Sequence, residues 1–181
     1  MTAVAYVVRH GQSTWNARGV LQGQAPDVPL TALGDTQATA AAASLAGSGA
    51  TAVYTSDLLR ALRTAEPIAR ALGAPMEVRP GLREQCVGIY QGRRSRDVWA
   101  ETDPEAWGRV DWRPEGGESI SDVAERLMPV LDELRACSGP VVVVTHGDTA
   151  RIAVGLLRGA AVAEIPWLSL GNGEVLAVPL S

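Results

Sequence analysis

The sequence predicts an α/β fold, a three-layer α/β/α sandwich on a mainly parallel central sheet. Three observations carry this reading. Short apolar, β-favouring runs recur at Ala3–Val8, Ala52–Thr55 and Val141–Val144, and helical patterns alternate with them. The helical patterns start at capping residues and stop at glycines. Val141–Val144 is an unbroken β-branched run, as expected of a central strand covered on both faces.

Taken in order, Ala3–Val8 is the first strand, and Arg9-His10-Gly11 stops it. A polar stretch containing Gly and Pro follows to Pro29. Thr31 then caps an Ala-rich helix that runs to about Ala46 and ends at Gly47-Ser48-Gly49. Ala52–Thr55 is a second buried strand, and Ser56-Asp57 caps a helix ending at Gly73. Pro67 should kink or restart that helix, because proline lacks the backbone donor. Met76–Val78 makes a short third strand.

From about 80 to 117 the chain reads as an irregular insertion covering the site, in a single domain spanning 1–181. Connections of this length usually serve function. Ser119 caps the next helix, with Asp122 favouring its positive N-terminal end. Val123, Leu127, Val130, Leu131 and Leu134 keep helical spacing along it. A helix through Leu157 follows His146-Gly147. Ser169–Leu170 and Glu174–Val178 read as final strands around Gly171-Asn172-Gly173.

Composition excludes several chemistries. The 181 residues contain 16 Lys+Arg, and since no lysine occurs all 16 are arginine. A chain without lysine can form no Schiff base with pyridoxal phosphate and no phosphate loop ending in Gly-Lys-Ser/Thr. Two histidines and two well-separated cysteines give no zinc-finger spacing. A net charge of −4 offers no basic face for nucleic acid. No basic leader is read at the N-terminus, and no apolar run reaches the ~18 residues of a membrane span. The two cysteines suit a reducing interior, and a cytoplasmic protein is expected.

His10 and His146 are the chain's only histidines. Each follows an apolar strand directly and precedes a glycine. In a parallel sheet both imidazoles open onto the carboxyl edge, where such folds bind ligands. Arg9 precedes His10, and Arg60 lies one helical turn after the second strand, near free helix N–H groups. Two guanidinium groups and two imidazoles without acidic metal ligands point to an oxyanion, most simply phosphate.

The ordered motifs resemble the histidine phosphatase superfamily, the phosphoglycerate-mutase-like proteins. They are Arg9-His10-Gly11-Gln12-Ser13-Thr14-Trp15-Asn16; Leu21-Gln22-Gly23; Pro29-Leu30-Thr31; Ser56-Asp57-Leu58-Leu59-Arg60-Ala61; Leu82-Arg83-Glu84; Gly116-Gly117-Glu118-Ser119; and Val144-Thr145-His146-Gly147. The resemblance implies a phosphoric monoester hydrolase acting on a small phosphorylated metabolite, with His10 as the nucleophile that becomes phosphohistidine. Arg9, Arg60 and His146 would surround the phosphate, and Asn16 would add a neutral donor. Glu84 would protonate the leaving oxygen, from surroundings that favour its protonated form. Gln22 and Gly23 would lie in the substrate pocket. Arginine and imidazolium charge would serve phosphoryl transfer with neither a metal ion nor a cofactor.

Two other activities stay open, a mutase and a non-catalytic phosphate-binding module. Mutases of this resemblance place a tyrosine and a lysine where Val87 and Ser95 stand here. Gly117-Glu118-Ser119 before a long helix looks more like the phosphatase branch. Arg93, Arg94 and Arg96 would form either a lid for an anionic tail or a solvated loop. Trp99, Trp107 and Trp112 would either line a pocket or pack the insertion onto the sheet.

Overall fold

The computed structural model describes residues 3–180. Five strands form one sheet: β1 (Ala3–Arg9), β2 (Val53–Thr55), β3 (Met76–Val78), β4 (Val141–Thr145) and β5 (Val175–Leu180), in the order β3-β2-β4-β1-β5. The β1/β4, β2/β4 and β2/β3 pairs are parallel, and β5 runs antiparallel to β1 at the edge. Six helices flank it: α1 (Thr14–Arg18), α2 (Ala32–Leu45), α3 (Leu59–Leu72), α4 (Ser95–Glu101), α5 (Ile120–Arg135) and α6 (Gly147–Leu157).

The period-2 alternation of the strands divides the core into two layers. Val8, Val53, Val142 and Val144 pack with Ala41, Leu45, Ala61 and Ile68 of α2 and α3. Ala5, Val7, Val141 and Val143 point the other way, onto Leu127, Leu131, Ile152 and Val154 of α5 and α6. All five residues of β4 are buried, as the unbroken valine run requires.

Both predicted helix starts at Thr31 and Ser119 are present. Thr31 Oγ1 accepts the Gly34 amide, and Ser119 closes a capping box with Asp122. Four expectations need correction. The polar stretch before Pro29 contains α1, a single turn too short to show apolar periodicity. Ser56-Asp57 does not cap α3: its N-cap is Leu58, without a side-chain bond, because Ser56 is drawn to His146. Pro67 does not divide α3, which runs unbroken to Leu72. Ser169–Leu170 is not a strand, since Arg9 takes the Leu170 carbonyl; the last strand starts after the Gly-Asn-Gly turn. The 80–117 segment is less irregular than expected, holding α4 and three 3-10 turns.

Candidate active site

Arg9 of β1 lies opposite Thr145 of β4, so His10 and His146 leave neighbouring parallel strands at one level. The His10 amide donates to the Thr145 carbonyl at 2.9 Å, and the two imidazole centroids are 5.0 Å apart. His10 Nδ1 lies 2.7 Å from the Gly11 carbonyl oxygen. That oxygen can only accept, so Nδ1 carries the proton and Nε2 keeps the lone pair. Burial holds the His10 pKa well below the usual imidazole value. The Arg60 and Arg9 charges add to this, and the Gly11 carbonyl opposes it.

The turn carrying His10 exists only because two glycines meet. A Cβ on Gly11 would stand 2.4 Å from the Gly34 carbonyl oxygen, and one on Gly34 would stand 2.1 Å from that of Gln12. The Gly11 amide donates to Thr64 Oγ1 at 3.0 Å, fixing the turn to α3.

Arg60 is fully buried. It donates to the Ala25 carbonyl at 2.9 Å and the Gly23 carbonyl at 2.7 Å. Desolvation lowers its pKa to about 10, opposed by the Glu84 charge, so it stays cationic at neutral pH. Arg9 donates to the Leu170 carbonyl at 2.8 Å. His146, also fully buried, meets Ser56 Oγ through Nε2 at 2.8 Å. Burial, then Arg60 and His10, hold its pKa well below the usual value. Among the described residues, four buried side-chain nitrogens lack a hydrogen-bond partner: Arg9 Nε, Arg60 Nε, His146 Nδ1 and Arg151 Nε. Three of them belong to this cluster. Such groups are costly unless something accepts from them.

Glu84 enters from the 80–117 segment and rests its carboxylate on the N-terminus of α6. The Thr149 amide and hydroxyl each donate at 3.2 Å, and the Gln85 amide donates at 3.0 Å. Gly147 lies beside both groups: a Cβ there would stand 3.6 Å, ordinary contact distance, from Glu84 Oε2 and Arg9 Cζ. The carboxyl pushed towards its protonated form is Asp148, raised to about 6 by desolvation and the Glu84 charge. The surroundings that favour a retained proton are thus clearest at Asp148, whose amide lies 3.4 Å from Glu84 Oε2, because two carboxyls share one helix end.

These groups line a cavity of about 260 Å³, with Arg9, His10, Asn16, Gln22, Gly23, Arg60 and Glu84 in its wall. His146 is absent from that wall and sits behind His10. Asn16 spends its Oδ1 on the Ser13 amide and hydroxyl. Gln22 accepts from Ser13 Oγ at 2.7 Å. Gly23 has φ +45°, and a Cβ there would meet Val87 at 2.9 Å. Among the described residues, no group of three or more His, Cys, Asp or Glu is placed to hold a metal ion.

Residues 5–180 match the histidine phosphatase superfamily (branch 1). The chain belongs to this superfamily. It is 38% identical to a glucosyl-3-phosphoglycerate phosphatase of Mycolicibacterium vanbaalenii, over 93% of this chain and 80% of that protein. It is 39% identical to a probable phosphoglycerate mutase, GpmB, of Cronobacter sakazakii, over 96% of this chain and 83% of the other. The structure of a mycobacterial glucosyl-3-phosphoglycerate phosphatase complexed with VO3 superposes with a TM-score of 0.90. It shares 34% identity and is matched over 97% of this chain and 90% of its own.

In this superfamily member the structure adds residues around the site that the sequence did not single out. Ser56 follows β2 at the same sheet edge as the histidines, which was a usable signal. Asp148 and Thr149 follow His146-Gly147 directly. Asn172 donates to the His10 carbonyl at 2.9 Å, a contact across 162 residues with no local signal. Arg126 and Glu118 pair at 2.8 Å and brace the Glu84 backbone: Arg126 donates to the Glu84 carbonyl at 3.1 Å.

The arginines of the 80–117 segment stay outside the cavity. Arg93 pairs with Glu101 and Arg96 with Asp97. Trp107 stacks between Trp99, Trp112 and Tyr90 at 4.7 to 5.8 Å. Trp99 and Trp107 also line a second cavity.

Proposed function

We propose that this chain is a metal-independent phosphomonoester phosphatase of the cytoplasm, turning over a small phosphorylated metabolite through a phosphohistidine on His10. One observation carries the reading. The unpartnered nitrogens of Arg9, Arg60 and His146 gather around a histidine whose Nε2 lone pair is free. A phosphoryl group in the cavity would accept from the Arg9 and Arg60 guanidinium groups, with His146 behind His10. The two free cysteines fit a reducing compartment.

In the proposed reaction, His10 Nε2 forms a bond to phosphorus as the ester P–O bond breaks. Glu84, which shares its site with Asp148, gives a proton to the leaving oxygen. Water then attacks the phosphohistidine, Glu84 takes the water's proton, and the P–N bond breaks to release inorganic phosphate. Arg9 and Arg60 neutralise the equatorial oxygens, and Asn16 adds its amide. With Ser56 donating to Nε2, His146 would carry its proton on Nδ1 and back the His10 ring from outside the cavity wall. Gln22 and Gly23 border the leaving group. The whole chain acts as one domain here, its 80–117 segment forming one wall.

The relatives' names bring both phosphatase and mutase chemistry. The apolar Val87 favours the phosphatase. It lines the cavity where a mutase of the resemblance has a tyrosine hydroxyl. Ser95 Oγ is committed to the Gly19 carbonyl at 3.1 Å. The test is hydrolysis of p-nitrophenyl phosphate in EDTA by the wild type and His10→Ala, alongside 3-phosphoglycerate isomerisation with 2,3-bisphosphoglycerate. Hydrolysis is expected to survive EDTA and to vanish with His10. Loss in EDTA, or persistence in His10→Ala, overturns the reading, and fast isomerisation replaces it with the mutase.

A further inference from the structure

The fourth unpartnered buried nitrogen is Arg151 Nε, which the phosphate chemistry does not use. Arg151 sits on α6 one turn after Asp148, its residue only 8% exposed. Its nearest carboxylate oxygen, Asp148 Oδ1, stands 3.8 Å away, beyond hydrogen-bond length. Its guanidinium lies 5.5 Å from the centroid of the Trp167 ring. A buried, always-charged group with one long ion pair, a ring face and no hydrogen bond on Nε is an unfilled donor.

Arg151 lines the second cavity, of about 410 Å³, together with Trp99, Pro104, Trp107, Ile120 and Trp167. Trp167 is 80% exposed and is a wall of both cavities. In-line displacement puts the leaving group opposite His10 and beside its proton donor. Glu84 rests on the first turn of α6, and the next turn along that helix is Arg151. Trp167, which lines both cavities, joins the one that holds Glu84 to the one that holds Arg151.

Resting on the phosphatase reading, we propose that the Trp-lined cavity is the leaving-group subsite. It would select phosphate monoesters whose leaving group carries a flat apolar ring and an anionic substituent. The rings supply stacking faces and Arg151 supplies the anion's partner. The side chains lining the cavity include no hydrogen-bond acceptor, and Trp107 Nε1 is already given to Thr102 at 3.0 Å. A sugar would leave its hydroxyl hydrogens without side-chain acceptors there, so the chemistry favours an aryl carboxylate over a glycosyl group. Space is ample, since a dry cavity of roughly 150 Å³ accepts a benzene ring.

The experiment compares kcat/KM for 3- and 4-carboxyphenyl phosphate with that for phenyl phosphate. In the wild type the better carboxylated ester is expected to lead by more than ~10-fold, the range of a charge-assisted hydrogen bond. Arg151→Met should bring the ratio near one, Arg151→Lys should restore part of it, and Trp167→Ala should slow all aryl esters. A wild-type ratio near one, or a ratio that Arg151→Met leaves intact, overturns the subsite. Binding of 3- and 4-hydroxybenzoate to unreactive His10→Ala protein, followed by tryptophan fluorescence, reads the subsite without turnover. Binding that Arg151→Met abolishes, in a wild type that hydrolyses no ester, defeats the phosphatase and leaves the subsite standing. Hydrolysis by a wild type whose His10→Ala form binds neither hydroxybenzoate does the reverse.

Discussion

The cavity over His10 is walled by strand ends and helix starts whose polar groups are tied to backbone atoms. The cavity beside it is walled by Trp99 of the short helix α4, Trp107 of a 3-10 turn and Trp167, which lies in a loop. In the first, Arg60 is fully buried and each of its two bonds goes to a main-chain carbonyl. In the second, Trp99 is 45% exposed and Trp167 80%. The difference separates two demands. Transition-state charge needs donors that do not move as it develops, and the sheet edge supplies them. Choice among leaving groups needs area and one anchor, which loops can carry and alter without disturbing the sheet.

The largest expected effect breaks the first region alone. Glu84→Gln keeps the shape but removes the transferable proton, and should cost ~10²–10⁴-fold with alkyl phosphates. p-Nitrophenyl phosphate, whose leaving group needs little help, should lose much less. Equal losses on both would remove Glu84 as the acid.

A second test uses pH, because titratable groups with shifted pKa sit around His10 and none of that kind lines the tryptophan cavity. Both histidines have folded pKa values below 6.5. Below that pH the unfolded chain takes up protons the folded one refuses, so stability is lost as pH falls from about 6.5. Asp148 works with the opposite sign. Raised from 3.8 to about 6, it adds stability as pH drops through that window. Thermal melts from pH 7 to 5 should therefore fall more steeply in Asp148→Asn than in wild type, and less steeply in His10→Ala. A slope that neither substitution moves would place the titration elsewhere.

The smallest effect belongs to the tryptophan cavity. Trp99 stands edge-on to Trp107 at 4.9 Å. Trp99→Ala should slow ring-bearing esters ~2–10-fold, the worth of an aromatic pair, with little change in melting temperature. A loss of several degrees would make the cluster part of the core.

Legibility in the sequence followed the same divide. Strands that are valine runs and helices with caps at Thr31 and Ser119 were readable because local signals decide them. His10, His146 and Arg60 were readable because strand ends and helix starts have fixed places in an α/β sheet. Ser56 was misassigned because a serine before a helix has two possible partners, and only tertiary placement chooses His146. Asn172 and the Arg126–Glu118 brace were invisible, since nothing near them in sequence records contacts 162 and 42 residues away. Helix α4 was missed because its 7 residues bury only Val98.

The antiparallel edge strand has a temporal consequence. The turn before β5 holds the nucleophile's strand from behind: the Gly173 amide donates to the Arg9 carbonyl at 2.9 Å, and Asn172 holds His10. His10 directly follows β1, but the side chain that holds its carbonyl, Asn172, arrives 162 residues later. A nascent chain still short of Gly171 would own every charged group of the cavity and lack the tether that fixes the attacking ring. Emergence of that turn is the step at which the His10 backbone gains its last tether.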